Sequence, residues 1–290
     1  MIVLLTGSSG FVGTNFMRLS KDLDIVATDL LTTSLFDINF NGIDSVLHLA
    51  ALVHQMKGAP EEQYFKINRD LAYDVAKRAK EQGVKQFVLM STAKVYGEST
   101  TAGGYWNEES ECAPSDPYGK SKYEAELLIL GLEDDTFKVA IVRSPLVYGA
   151  GVKANMFSLI RLVDRLPILP LGGISNERSI IYIGNLVALL TRIIEEQASG
   201  VFIAGDRTPL STTEMIKLIA AGFNRKVHLL KVPKFIMVGV SRILPSITNR
   251  LYGSLVLDNS NTNKVLNFMP PYSSEEGIRE MVEWYKTRRK

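Results

Sequence analysis

Acid–base chemistry needs a hydroxyl, a phenol and an ammonium near one another, and the first half of this chain supplies all three. Ser91 and Thr92 end the apolar run QFVLMST, and Tyr118 and Lys122 stand four apart in SDPYGKSKYEAE. A tyrosine ordinarily titrates near pH ~10 and is a poor base at neutrality. A nearby ammonium favours the phenolate, so a lysine on the same helical face is expected to pull the phenol down. Asp116 reads as the N-cap and Pro117 as the first residue of that helix. The spacing alone is cheap, because Tyr73 and Lys77 repeat it inside another helical pattern. Position separates the two copies. Tyr118 follows a strand whose carboxyl end carries hydroxyls, and in a parallel sheet that end faces the ligand crevice.

Other chemistries find less support. Cys112 is the single cysteine and lies in the polar loop NEESECAPSDP, without a cationic cluster to activate it. His48, His54 and His228 complete no metal-ligand spacing with a carboxylate or thiol, so no metal is expected.

TGSSGFVG (6–13) carries glycines at 7, 10 and 13 between a strand-like run and a helix-like one. There the backbone N–H groups of Gly7, Gly10, Phe11, Val12 and Gly13 can approach a pyrophosphate at a helix N-terminus. Asp29, at the end of the second strand, falls near the offset of roughly 20 residues expected of a ribose-binding carboxylate. A carboxylate there accepts from a 2′-hydroxyl and repels a 2′-phosphate, which favours NAD over NADP. FDI (36–38) would bring Asp37 and Ile38 near the adenine. VLHLAA (46–51) ends the third strand on Leu49, Ala50 and Ala51, small enough to press against a cofactor.

These residues need a scaffold. IVLL (2–5), DIVAT (24–28), SVLHL (45–49), QFVLMS (86–91) and FKVAIV (137–142) read as buried parallel strands. Helical patterns at 11–20, 61–82 and 118–133 alternate with them, which predicts an α/β fold with a doubly wound parallel (Rossmann) sheet. SIIYI (179–183) and GVFIAG (200–205) are expected to return to that sheet around a helix at 184–197. Further helices are expected at 154–165, 211–221 and 274–288. The division that follows is a Rossmann domain over 1–148 plus about 179–204. A smaller, discontinuous C-terminal substrate lobe takes about 149–178 plus 205–290.

The totals agree with a globular enzyme. The chain has 290 residues, 46% hydrophobic and 22% charged, with a net charge of +2. That balance gives no footprint for nucleic acid or an anionic membrane. No apolar run reaches the ~18 residues of a spanning helix, and the N-terminus lacks signal-peptide features. A cytoplasmic protein is expected.

The glycine spacing, HLAA, the S-T-x-x-VYG segment, YGKSK and RSPLVYGAG (143–151), taken in order, resemble the extended short-chain dehydrogenase/reductase family. More narrowly they resemble its NAD-dependent epimerases and dehydratases of nucleotide sugars. The resemblance implies that Thr92 bonds a sugar hydroxyl, Tyr118 is the acid/base, and Lys122 tunes it and holds the nicotinamide ribose. It also implies that Asn68 lies near the active site. Asn155 would bind the nucleotide, expected to be UDP-linked, Arg178 would grip the substrate diphosphate, and Arg250, more loosely, would be a second phosphate ligand. From its place in the loop, Lys94 is expected to contact a substrate oxygen or anion. Leu146 stands where the family often has asparagine. A homodimer built from helices 61–82 and 118–133 is implied as well.

In the related 4,6-dehydratases an Asp-Glu pair follows the catalytic threonine and carries the proton transfers of elimination. Ala93 and Lys94 stand there in this chain, which disfavours elimination. What remains is reversible hydride transfer at sugar C4. Two enzymes use it: a UDP-sugar 4-epimerase with retained NAD, and a reductase of UDP-4-keto-6-deoxy-hexosamines using fresh NAD(P)H. A non-catalytic dinucleotide-binding regulator is the remote alternative.

Overall fold

The computed structural model of the chain describes residues 1–53, 59–101, 103–232 and 251–289. Its centre is a six-stranded, wholly parallel sheet. The strands are β1 (Ile2–Thr6), β2 (Asp24–Thr28), β3 (Ser45–His48), β4 (Gln86–Thr92), β5 (Lys138–Ser144) and β9 (Gly200–Ile203). They lie in the order β2-β1-β3-β4-β5-β9. The direction of winding reverses between β1 and β3, and the crevice at such a switch point is where this architecture binds ligands. The expected α/β, doubly wound class is the one observed.

Strand alternation sorts the apolar side chains onto two faces. Val3, Leu5, Leu47, Val88, Ala140 and Val142 form one core with Phe16 of α1 (Phe11–Leu19) and with Leu186 and Leu190 of α5 (Ile183–Glu195). Leu4, Val46, Phe87, Leu89, Val139 and Ile141 form the other. They pack with Val75 and Ala79 of α2 (61–81) and with Ala125 and Ile129 of α3 (Pro117–Leu130). The first core runs on into Met215 and Ile216 of α6 (Thr212–Gly222) and Ile278 and Met281 of α8 (Ser274–Arg288).

GVFIAG joins the sheet as expected, but SIIYI does not. Ile180–Tyr182 (β8) pairs in parallel with Leu146–Tyr148 (β6) in a separate two-stranded sheet. The reason is register: β9 already occupies the free edge of β5. A second small sheet joins Ile168–Gly172 (β7) to His228–Lys231 (β10). The remaining described helices are α4 (Ala154–Arg165) and α7 (Ser260–Val265). Helix α2 departs from a regular pattern. Its turns over Phe65–Leu71 are π, with α-helix before and after. Such stretches recur at functional sites, and this one carries Asn68.

Candidate active site

The glycine loop is shaped for close backbone approach. Gly7 has φ +72°, and a Cβ there would sit 2.6 Å from the Ala50 nitrogen. At Gly13 a Cβ would overlap the Gly7 carbonyl oxygen. Gly7 therefore abuts Leu49 and Ala50 across the switch point, and the start of α1 folds back onto the loop. Gly10 is the N-cap of α1 and offers no side chain to satisfy the first-turn N–H groups. A helix N-terminus of this kind is a natural seat for an anionic group.

At the adenosine end, Asp29 follows β2, whose last residue Thr28 pairs with Thr6 beside the loop. Asp29 is exposed, and its Oδ1 accepts from the Leu31 N–H at 2.9 Å. Asp37 is exposed at the end of a short 3-10 turn (Leu35–Asp37). The Ile38 side chain is buried in the second core, so any ligand contact it makes is through its backbone. No strand flanks β2 on its outer side among the described residues.

Thr92 ends β4, and its hydroxyl lies near enough to the Tyr118 phenol to favour the phenolate. Asp116 caps α3 as the sequence predicts, its Oδ1 accepting from the Gly119 N–H at 2.6 Å. Lys122 lies one turn beyond Tyr118 and is buried, and its Nζ has no hydrogen-bond partner among the described residues. A buried, unpaired ammonium is costly and calls for an acceptor. The hydroxyls of a ribose fit that need, and with the glycine cradle they make this site a match for a dinucleotide.

The expected lowering of the phenol is not what the structure shows. Burial pushes Tyr118 up to about 12, and only the Thr92 hydroxyl opposes it; the charge of Asp116 raises it further. Lys122 is pushed the other way, to about 8, also by burial, with Glu126 partly restoring its charge. Desolvation outweighs the proximity of the two groups. Tyr118 therefore needs positive charge beyond that of Lys122 before it can act as a base near neutrality.

Ser91 does not share the crevice with Thr92. Alternation turns it inward, where its hydroxyl donates to Glu126. Glu126 also takes Arg143 through Nε at 3.0 Å and Nη2 at 2.7 Å, and Arg143 Nη1 donates to the Tyr96 hydroxyl at 2.9 Å. This buried network fixes α3 against β4 and β5. The sequence analysis missed it, although a lone arginine in the strand KVAIVRS was the available signal. Glu126→Gln leaves the Arg143 charge buried without its counter-ion. It should cost about 3–5 kcal/mol in denaturant unfolding.

Asn68 is fully buried. It accepts from the Leu52 N–H at 2.7 Å and donates to the Leu52 carbonyl at 3.0 Å and to Ser121 Oγ at 3.1 Å. It thus ties the loop after β3 to the helix of Tyr118 and Lys122. Lys94 is not aimed at open space. Its Nζ is engaged by Asp116 and by Glu98 at 2.9 Å. Both carboxylates lie at bonding distance of its ammonium.

The substrate-lobe residues lie on separate elements. Asn155 is exposed in the first turn of α4. Arg178 bridges to Leu210 and Leu255, and its Nη1 donates to the Gly253 carbonyl at 2.9 Å. Burial lowers the pKa of its guanidinium. Leu146 stands on β6, partly exposed. Arg250 and His54 lie outside the described residues. No helix among the described residues is long and apolar enough to cross a membrane.

Comparison with known proteins agrees with this geometry. A UDP-glucose 4-epimerase of Vibrio cholerae is 34% identical over 309 aligned positions, spanning 97% of this chain and 94% of the relative. An N-acetyl-alpha-D-glucosaminyl-diphospho-ditrans,octacis-undecaprenol 4-epimerase of Escherichia coli O157:H7 is 26% identical, over 80% of this chain and 75% of the relative. Among solved structures, MoeE5 in complex with UDP-glucose and NAD superposes with a TM-score of 0.78 at 23% identity, covering both chains fully. The family model described as NAD dependent epimerase/dehydratase matches residues 3–205, and the chain belongs to that family.

Proposed function

We propose that the protein is an NAD-dependent UDP-sugar 4-epimerase. The observation that carries this reading is the intact Thr92–Tyr118–Lys122 set around a buried ammonium with no hydrogen-bond partner among the described residues. The extent of the likeness to the Vibrio cholerae 4-epimerase supports it. Gly7, Gly10, Phe11, Val12 and Gly13 would hold the pyrophosphate of NAD. Asp29, Asp37 and the Ile38 backbone would hold its adenosine end, and Leu49, Ala50 and Ala51 would pack beside it. Bound NAD would supply the hydride acceptor for sugar C4 and a positive ring charge in the same site. Lys122 would donate to the ribose hydroxyls through the Nζ that has no partner among the described residues. Tyr118 would take the proton from the sugar 4-hydroxyl in the oxidation at C4 and return it in the reduction that completes the inversion. Thr92 holds the phenol and the sugar oxygen in line. Asn155, Arg178 and Arg250 grip the nucleotide diphosphate, a task suited to forked guanidinium donors. Ala93 supplies no proton to a C6 leaving group, so the chemistry stays at C4.

One observation favours a second reading, an NAD(P)H-dependent 4-keto reductase. The adenosine end is open: Asp29 and Asp37 are exposed beside β2, the edge strand of the sheet. An open end suits a cofactor that exchanges at every turnover. Denaturing the purified protein and identifying the released nucleotide separates the two. Near-stoichiometric NAD supports the epimerase. A protein that emerges empty and then binds NADPH or NADH supports the reductase.

The homodimer is proposed through α2 and α3. Leu127 and Leu128 are 54% and 44% exposed on α3, beside the Arg69–Glu124 ion pair that links the two helices. Leu127→Glu should convert a dimer to a monomer in sedimentation analysis, with the fold retained. A protein that sediments as a monomer without the substitution contradicts the proposal.

A further inference from the structure

Lys94 touches Thr92 and the first turn of the helix that carries Tyr118. Its backbone N–H donates to Thr92 Oγ1 at 3.3 Å. Its carbonyl oxygen lies 2.8 Å from where a Cβ on Gly119 would stand, so the chain at Lys94 presses on the first turn of α3. Its ammonium bonds Oδ2 of Asp116, whose Oδ1 caps that same turn. Glu98 takes the ammonium from the other side, and Ser115 donates to Glu98 at 3.4 Å. The Lys94 side chain is 30% exposed and that of Asp116 only 20%, so this pair is less screened than a surface one.

We propose that Lys94 is a positioning residue that clamps the N-cap of the catalytic helix to the threonine loop. By this clamp it fixes the Thr92 hydroxyl relative to the Tyr118 phenol and offsets the Asp116 charge beside that phenol. The inference rests on Tyr118 being the acid/base. It deepens that reading by assigning the lysine that replaces the dehydratase acid to geometry rather than to proton transfer or substrate binding. The charged and titratable groups facing Lys94 are Asp116 at the N-cap of α3 and Glu98 on its own loop, with Tyr118 the second residue of α3. Without the ammonium the Asp116 charge acts on the phenol unopposed. The Tyr118 midpoint then rises, and less phenolate is present at any given pH.

The test uses the full chain saturated with NAD, with the Tyr118 ring followed by NMR of ring-labelled tyrosine and assigned against Tyr118→Phe. Lys94→Ala should raise the phenol midpoint by about one unit. It should lower kcat roughly tenfold with KM within about twofold, as a lost acid–base alignment does. Lys94→Arg should restore most of kcat. Asp116→Asn keeps the cap acceptor but drops the charge, and should move the midpoint down. That variant remains informative if Lys94→Ala does not fold. A raised KM with kcat unchanged would assign Lys94 to substrate and overturn the clamp. So would a phenol midpoint that neither variant moves. Because the titration needs no sugar substrate, it decides the clamp even where the assigned reaction proves wrong.

Discussion

Tyr118→Phe is expected to bind NAD as the wild type does and to lose roughly a thousandfold in kcat. The substitution removes one oxygen and leaves the ring, so the packing of Tyr118 against Tyr64, with centroids 6.4 Å apart, is kept. Thr92 loses a polar neighbour but lies beside the open crevice, where water can take its place. What disappears is the group beside Thr92 that can accept and return a proton. Nucleotide affinity should change little, since the glycine loop and Lys122 are untouched. A regulator that only senses the dinucleotide would be indifferent to this change, so the loss of rate with unchanged binding separates enzyme from sensor. The measurement is kcat for 4-epimerisation beside NAD affinity by calorimetry.

Gly13→Ala should act in the opposite way, lowering NAD affinity by roughly a hundredfold. The added methyl would overlap the Gly7 carbonyl. Relief requires the loop to move away from the first turn of α1, and that movement takes the Phe11 and Val12 N–H groups with it. Gly10 is the less sensitive position, because a Cβ there meets the same oxygen at 3.2 Å. Calorimetric titration with NAD, beside a melting curve showing that the variant folds, checks the effect. Wild-type affinity in Gly13→Ala would place the pyrophosphate elsewhere.

Most of the sheet was legible because its inner strands are buried on both faces, so IVLL, SVLHL, QFVLMS and FKVAIV stand out as apolar runs; β2, at the edge, is largely exposed. The catalytic helix was legible from Asp116-Pro117, a cap and a first-turn residue with little alternative use. Three features were not. The strand at Ile180–Tyr182 reads like any other buried strand, and nothing local says that β9 has taken the edge it would fill. The π turns of α2 carry Asn68, whose bonds to Leu52 and Ser121 no periodicity reports. The phenol shift went the unexpected way because spacing shows that Tyr118 and Lys122 share a face but not that both are desolvated. Lys94 belongs with these. Its partner Asp116 is far along the chain, and only the fold brings them together.

The measurement that bears most directly on the assigned reaction is incubation of the purified protein with UDP-glucose deuterated at C4. The account predicts UDP-galactose that keeps the deuterium at C4, with none lost to solvent and no nucleotide added. Label lost to solvent, or conversion that requires added NAD(P)H, would contradict hydride transfer to a retained NAD. No conversion of this or any other UDP-hexose would contradict the epimerase reading outright.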